Sequence, residues 1–276
     1  MRALGPADVR PGEAAVLDVR GEGAFRSGHV AGSGSIPAGE LVARRAELPP
    51  RDAPVLVVAE GAAAARAGAA VMEEMGYGDV AYLDAPLAAL AGGLSDRGPA
   101  ARLWRPAPFL EEVLPLLPDP RGGPRRALDL AAGSGRDAVF LALAGWEVEA
   151  WDVAPEALER AARLARRHGV RLVTVVADLE RGEPPLPEDA FDLVTCFRFL
   201  HRPLFPRIEA ALRPGGRLVY ETYRLGQERF GRPKRALFLL RDGELSSAFP
   251  GLSTERYEEL DPEGGPVTAR LLARKL

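Results

Sequence analysis

Short apolar runs alternate with helix-forming runs twice along this 276-residue chain, and that alternation constrains the fold more than any other feature. Strands separated by helical stretches build parallel sheets, because each parallel return needs a crossover long enough to hold a helix. In the first stretch AVLDV (15–19), PVLVV (54–58) and the run at 80–83 read as strands, with a small-residue helix at 62–75. From position 126 the pattern is cleaner. Strand ALDL (127–130) leads to a helix at 136–143, strand EVEAW (147–151) to a helix at 155–167 with Pro155 in its first turn. Strands RLVTVVA (171–177) and FDLVTCF (191–197), a helix at 205–212 and strand RLVYETY (217–223) follow. Runs at 253–259 and 267–273 read as a terminal antiparallel pair. Gly92, Gly93, Gly98, Pro99, Pro106 and Pro108 punctuate the middle, where FLEEVLPLL (109–117) reads as a short docking helix ended by Pro118, Pro120, Gly122, Gly123 and Pro124. The expectation is an α/β protein of two domains, 1–97 and 124–276, joined by a linker at 98–123. No internal repeat relates the two halves.

Composition removes several function classes. Lys plus Arg number 36 against 39 Asp plus Glu, a formal net charge of -3, which excludes a globally basic nucleic-acid coat. No apolar run has the length of a membrane span, and the opening residues lack the apolar stretch of a secretory signal, so a cytoplasmic location is the default expectation. A single cysteine, Cys196, leaves no disulfide framework and no thiolate metal cluster; no metal site is expected. There is no Asn, one Gln, and only two Lys, Lys234 and Lys275, beside 25 prolines. Scarcity of thermolabile residues fits a hot-growing source, and a GC-rich genome accounts for the same bias.

The sharpest local signal is Asp129-Leu130-Ala131-Ala132-Gly133-Ser134-Gly135-Arg136-Asp137, a strand running into a glycine turn that opens a helix. Glycines there let a ligand approach the backbone and the exposed helix N–H groups. The same residues satisfy the G-x-G-x-x-A dinucleotide pattern, so a nicotinamide-dependent oxidoreductase stays open at this point. Asp129 lies inside the strand end, Asp152 ends the next strand 17 residues beyond Gly135, and Asp178 ends the third. Asp152 is placed to accept ribose hydroxyls and Asp178 to meet an adenine amino group. Each alone reads equally as a helix cap or turn residue. Together they fall on one sheet edge, where open α/β sheets bind ligands.

Taken with LDLAAGSG, EVEAWDVAPEALERA, VVADLE, FDLVTCFRFLH and LRPGGRLVYETY in this order, the segment from 126 to 276 resembles class I S-adenosylmethionine-dependent methyltransferases. The resemblance implies a Rossmann-like seven-stranded sheet with S-adenosylmethionine held by Asp129, Ala131, Gly133 and Gly135, by Asp152 with Val153, by Asp178 with Leu179, and by Phe197 at the end of the fourth strand. Ala131 stands where many members carry Gly, a departure of one methyl group that leaves binding expected. FLHRPLFPRIEAALRPGGRLVYETY, then FGRP and FLLRDGEL, are similar to the small-molecule, tellurite-resistance-type group. The Asn/Asp-Pro-Pro-aromatic signature of nucleic-acid amino methylation is missing; the chain reads Cys196-Phe197-Arg198-Phe199. A soft or anionic small molecule, such as a thiolate or chalcogen oxyanion, is therefore the expected acceptor, not nucleic acid. His201, Arg202 and Tyr223 are the candidate catalytic residues, with Glu221 beside them and residues 230–245 as an acceptor wall. His201 reads equally as a capping or packing residue, and Arg202 as an ion-pair residue. A non-catalytic S-adenosylmethionine-binding regulator is the other open alternative.

Asp18-Val19-Arg20, Phe25, Gly28-His29-Val30-Ala31-Gly32-Ser33 and Ile36-Pro37 resemble the rhodanese-like domain, over about residues 1–97. That resemblance implies a nucleophilic cysteine directly after PVLVV. The position holds Ala59, followed by Glu60-Gly61-Ala62. An alanine cannot form a persulfide, so a sulfurtransferase-inactive structural or interaction module is expected, with a protein partner possible through it.

Overall fold

The computed structural model describes residues 1–10, 12–90, 96–123 and 125–276. Two compact units emerge, Met1–Arg105 and Pro106–Leu276. The division falls inside the stretch 98–123 expected as a linker; Gly92, Gly93 and Pro124, which flank it, lie outside the described residues.

The first unit holds β1 (Arg2–Leu4), β2 (Ala15–Asp18), α1 (Glu22–Ser27), β3 (Gly34–Ser35), β4 (Val55–Val58), α2 (Ala62–Glu74) and β5 (Val80–Leu83). Its strands form one parallel sheet in the order β1-β5-β4-β2-β3. All four residues of β4 are buried, as expected for a central strand covered on both faces. Leu17, Val57, Ala65, Ala69 and Met72 pack on one face; Leu56, Val58, Ala81 and Leu83 pack on the other.

The second unit opens with α3 (Pro108–Val113), the first part of the expected docking helix, which packs here as part of its own unit. Then come β6 (Arg126–Leu130), α4 (Arg136–Leu143), β7 (Glu147–Asp152), α5 (Pro155–Arg167), β8 (Val173–Val176), β9 (Phe191–Phe197), α6 (Phe205–Ala211), β10 (Leu212–Tyr223), α7 (Glu244–Ser247), β11 (Leu252–Leu260) and β12 (Thr268–Lys275). The seven strands run β11-β12-β10-β9-β6-β7-β8, parallel except for the pairings of β12. Strand order therefore reverses between β6 and β9, which opens a crevice at the carboxyl ends there. Alternation along the strands sends Leu128, Leu130 and Val194 toward Ile208 and Ala211 of α6. Ala127, Val148 and Leu193 point oppositely, toward Phe109 and Leu110 of α3 and Leu141 of α4. The Arg213-Pro214-Gly215-Gly216 stretch, between the helix and the strand expected from the sequence, lies within β10 as an irregularity between the Leu212 and Arg217 pairings. A side chain at Gly216 would meet the Phe191 carbonyl at 3.0 Å.

Candidate functional site

The loop between β6 and α4 is wound tightly at the reversal point. Ala131 has φ +54°, Gly133 φ +54° and Gly135 φ +77°. The three positions do different work. A Cβ on Gly133 would meet nothing within 4 Å, so its backbone faces open space. A Cβ on Gly135 would lie 2.4 Å from the Ala161 Cβ, so this glycine lets α5 pack closely against the loop. Ala131 holds a left-handed conformation with a side chain attached, which costs about 1–2 kcal/mol. The sequence treats the Ala131 methyl as innocuous in terms of room; the structure shows that its cost is conformational.

Asp152, at the end of β7, ties the loop down. Its Oδ2 accepts the Gly133 N–H at 2.8 Å and its Oδ1 accepts the Ala154 N–H at 2.9 Å. One lone pair on each oxygen is left for a ligand. Val153 beside it is 64% exposed. Asp178 lies two residues beyond Val176, the partner of Asp152 in register. Its Oδ1 accepts the N–H groups of Glu180 and Arg181, both at 3.1 Å, so the carboxylate closes its own turn, while Leu179 is buried.

Asp129 is 2% exposed. Its Oδ1 accepts the Thr195 hydroxyl at 2.9 Å, and its Oδ2 is buried without a hydrogen-bond partner. Burial first, then the charge of Asp137, lift its carboxyl well above the usual range; Thr195 and the Ala138 N–H offset part of this. Asp137, in the first turn of α4, accepts the Ala107 N–H at 2.6 Å, yet burial raises it too. Glu221 on β10 is likewise raised by burial, against the pull of Arg198 and Arg270. The edge thus gathers carboxylates that protein cations only partly offset. Phe197, paired with Glu221 in register, is buried against the α3 face of the sheet.

On the other side of the reversal point a cleft of about 760 Å³ opens. Arg198, Thr222 and Tyr223 form its floor with Phe199 and Leu200; Arg232, Lys234 and Arg235 line it with Pro233 and Phe238, and Glu180 is its one acid. Arg198 donates to the Tyr223 hydroxyl at 2.5 Å, with its guanidinium 5.0 Å from the ring centre. Of the expected catalytic residues only Tyr223 lines this cleft. His201 precedes a short turn and accepts the Leu204 N–H with its backbone carbonyl. The Arg202 guanidinium is engaged by the Glu244 carboxylate and by the carbonyls of Leu237 and Leu239, at 2.8 and 2.9 Å. It clamps the 237–239 stretch to Glu244 instead of lining the cleft. Asp137 and Arg198 lie inside the sequence motifs, but nothing local in the sequence singles them out. The cations of residues 230–245 are likewise set apart only by their place in the cleft lining.

Residues 127–216 match the family model described as a methyltransferase domain, and residues 7–90 match the rhodanese-like domain model. The chain joins a rhodanese-like domain to a methyltransferase domain. It is similar to Hemagglutinin 1 of Eikenella corrodens, 28% identical over 167 residues, covering 55% of this chain and 55% of that protein. It is also similar to the ribosomal protein L11 methyltransferase of Thermus thermophilus, 37% identical over 96 residues, 34% of this chain and 37% of that protein. The chain thus spans about half of the first relative's length and just over a third of the second's. Among solved structures, TehB from Haemophilus influenzae superposes with a TM-score of 0.49 at 18% identity, over 61% of each chain. The cofactor that accompanies the methyltransferase domain is S-adenosylmethionine. The methyltransferase domain fits it on two counts: open space over Gly133, and a buried Asp129 oxygen lacking a partner where a cationic group would supply one.

Proposed function

We propose that the chain transfers a methyl group from S-adenosylmethionine to a small-molecule acceptor, while the rhodanese-like domain serves as a structural or interaction module without sulfurtransferase activity. The observation that carries the proposal is the acidic corner beside the open glycine. A ligand cation there relieves both the unpaired Asp129 oxygen and the repulsion between Asp129 and Asp137. Unit charges about 4 Å apart interact by about 4 kcal/mol at an effective dielectric of about 20, enough to set ligand sign. A nicotinamide dinucleotide would bring its pyrophosphate to the same first turn of α4 and meet those acids. The corner therefore favours the sulfonium cofactor, with its ammonium group, over the dinucleotide.

When bound, S-adenosylmethionine would supply an electrophilic sulfonium methyl, with neutral thioether sulfur as the leaving group once an acceptor lone pair took the carbon. The chain contributes alignment and exclusion of water, and orientation of reactants alone reaches effective molarities of about 10⁵–10⁸ M. Asp152 holds the loop and offers its remaining lone pairs to the ribose. Leu179 and the Asp178 turn would border the adenine. Tyr223 and Arg198 face the acceptor, and Arg202 positions the wall opposite. An anionic acceptor, thiolate or chalcogen oxyanion included, brings no proton to remove, so no general base is required of His201. The reading extends to a cytoplasmic, heat-adapted protein of the tellurite-resistance-type group.

Calorimetric titration of the full chain tests this. S-adenosylmethionine binds, and Asp152→Ala weakens it about a hundredfold, because two charge-assisted hydrogen bonds worth about 3 kcal/mol together are lost from the loop. Unchanged affinity in the variant, or binding of a nicotinamide dinucleotide in place of S-adenosylmethionine, overturns the proposal. Methyl transfer is then screened on thiols, selenite and tellurite. For the rhodanese-like domain, thiosulfate and cyanide yield no thiocyanate, since Ala59 follows β4 and the sole thiol, Cys196, is buried in β9.

A further inference from the structure

The cleft beside the acidic corner has the opposite character, and its size, charge and lining together define a ligand class. Its volume of about 760 Å³ is that of a site for an organic molecule, within the usual range of roughly 300–1,000 Å³. A bare oxyanion of a few atoms would leave most of it to water. Four cationic side chains line it against one carboxylate, Glu180. Its apolar surface comes from Phe199, Leu200, Pro233 and Phe238.

The cations are held there by the wall that carries them. The Arg232 carbonyl accepts a long hydrogen bond from the Gln227 side-chain amide at 3.5 Å, and Gln227 is itself fixed by accepting the Val267 N–H at 2.8 Å. At the other end Arg202 grips the carbonyls of Leu237 and Leu239 and pairs with Glu244. The segment between, with Lys234 and Arg235, is thus pinned at both ends. The carboxylates nearest in sequence are spent elsewhere: Asp242 pairs with Arg224 and Glu228 caps the Gly226 N–H. Among the described residues no carboxylate pairs with Arg232, Lys234 or Arg235, so the wall presents positive charge to the cleft.

We infer that the methyl acceptor is an organic anion, with a carboxylate, sulfonate or phosphate handle held by Arg232, Lys234 and Arg235 and an aromatic or aliphatic body lying on Phe199 and Phe238. The inference rests on the cleft being the acceptor side of the methyltransferase domain. The handle anchors the molecule while Arg198 and Tyr223 face the end nearer the cofactor corner. Arginine suits such a handle because its planar fork pairs with two oxygens at once.

The test uses the full chain loaded with S-adenosylmethionine and titrates four probes: 2-naphthoate, 2-naphthyl phosphate, neutral 2-naphthamide and inorganic phosphate. The expected result is that the two naphthyl anions bind at least tenfold tighter than either the amide or inorganic phosphate. In the variant carrying R232A, K234A and R235A together, the preference over the amide falls below threefold, while affinity for S-adenosylmethionine stays within twofold. These side chains are exposed, and an unchanged melting temperature verifies the variant's fold. Equal binding of the amide, equal binding of inorganic phosphate, retention of the preference in the variant, or no binding of either naphthyl anion each overturns the inference. All of these leave cofactor binding intact, whereas loss of S-adenosylmethionine binding in the unaltered protein strikes the proposed function itself.

Discussion

Two buried aspartates sit at the ends of central strands, one in each domain, and their surroundings are opposite. Asp18, 0% exposed at the end of β2, accepts the Arg20 Nε and Nη2 at 3.0 and 2.8 Å and the Arg20 backbone N–H at 3.0 Å. Arg20 in turn donates to the Gly28 carbonyl at 2.8 Å, and its pairing with Asp18 pushes its already high pKa further up. The rhodanese-like domain closes this charge upon itself. Asp129, equally buried in β6, draws on the Thr195 hydroxyl and the Ala138 N–H, has no hydrogen-bond partner on its Oδ2, and has a second raised carboxylate close by. A buried charge that the fold satisfies is architecture. One that the fold leaves unsatisfied, at the sheet edge where open α/β folds bind ligands, is a place for a ligand of opposite sign.

The largest effect that can break this comparison comes from removing each carboxylate. Asp18→Ala leaves the Arg20 guanidinium buried without its partner, which costs about 3–5 kcal/mol and lowers the melting transition of that domain by more than about 10 °C. Asp129→Asn does the reverse. It removes a charge whose burial is unfavourable, so the ligand-free methyltransferase domain melts higher at pH 8, while affinity for S-adenosylmethionine drops at least tenfold. If both substitutions destabilise to the same degree, as differential scanning calorimetry would reveal, the contrast is wrong.

The same contrast sets a pH dependence. The carboxyls of Asp129, Asp137 and Glu221 are raised in the folded state, so above the ordinary carboxylate value of about 4 the folded chain binds more protons than the unfolded chain. Their contribution to stability is complete below that value and is lost as pH rises through the raised values. A cationic cofactor lowers those values again. Its affinity therefore climbs with pH over the same window, and binding there releases protons, visible as a binding enthalpy that changes with the ionisation heat of the buffer. Affinity flat with pH and no proton release would remove Asp129 and Asp137 from the cofactor's surroundings.

A smaller effect separates the acceptor wall from the cofactor corner. Arg202→Ala releases the carbonyls of Leu237 and Leu239 and frees Glu244, whose carboxyl is held below its usual value first by Arg202. Because the pair is partly exposed, the stability loss is about 1 kcal/mol. Binding of 2-naphthoate weakens several-fold as the wall loosens, while S-adenosylmethionine affinity holds. Calorimetry with both ligands checks this, and an equal loss for both would make Arg202 a general fold residue.

Much of this was legible in the chain itself. Buried parallel strands carry mostly apolar runs, so VLVV, ALDL and FDLVTCF declare themselves, and the spacing of Asp129, Asp152 and Asp178 places them at or just beyond successive strand ends. The two-residue β3 and the edge strand β1 have no period to read. What sequence does not carry is which charges find partners. Glu244 lies 42 residues from Arg202, and nothing local says that this arginine is spent on the wall. By the same token, the uncompensated cations at 232–235 emerge only once the nearby carboxylates are seen paired elsewhere. Asp178 shows a third case: both readings of it stand open in the sequence, and in the structure its carboxylate closes its own turn just beyond β8.

The smallest predicted effect concerns the loop that joins these charges. Ala131 at φ +54° occupies a region that glycine enters freely and alanine only at a cost of about 1–2 kcal/mol. Ala131→Gly relieves that strain but makes the unfolded chain more flexible, a loss of roughly 0.5–1 kcal/mol. The net gain is about 0.5 kcal/mol, a rise of one or two degrees in the melting temperature. Because Asp152 anchors the loop through Gly133 and Ala154, not through residue 131, cofactor affinity in Ala131→Gly should stay within twofold. A variant that melts higher but binds S-adenosylmethionine several-fold more weakly would mean that the strained alanine preorganises the loop. Strain in the methyltransferase domain's loop, like its unpaired carboxylate, would then belong to ligand binding, in contrast to the satisfied Asp18–Arg20 pair of the other domain.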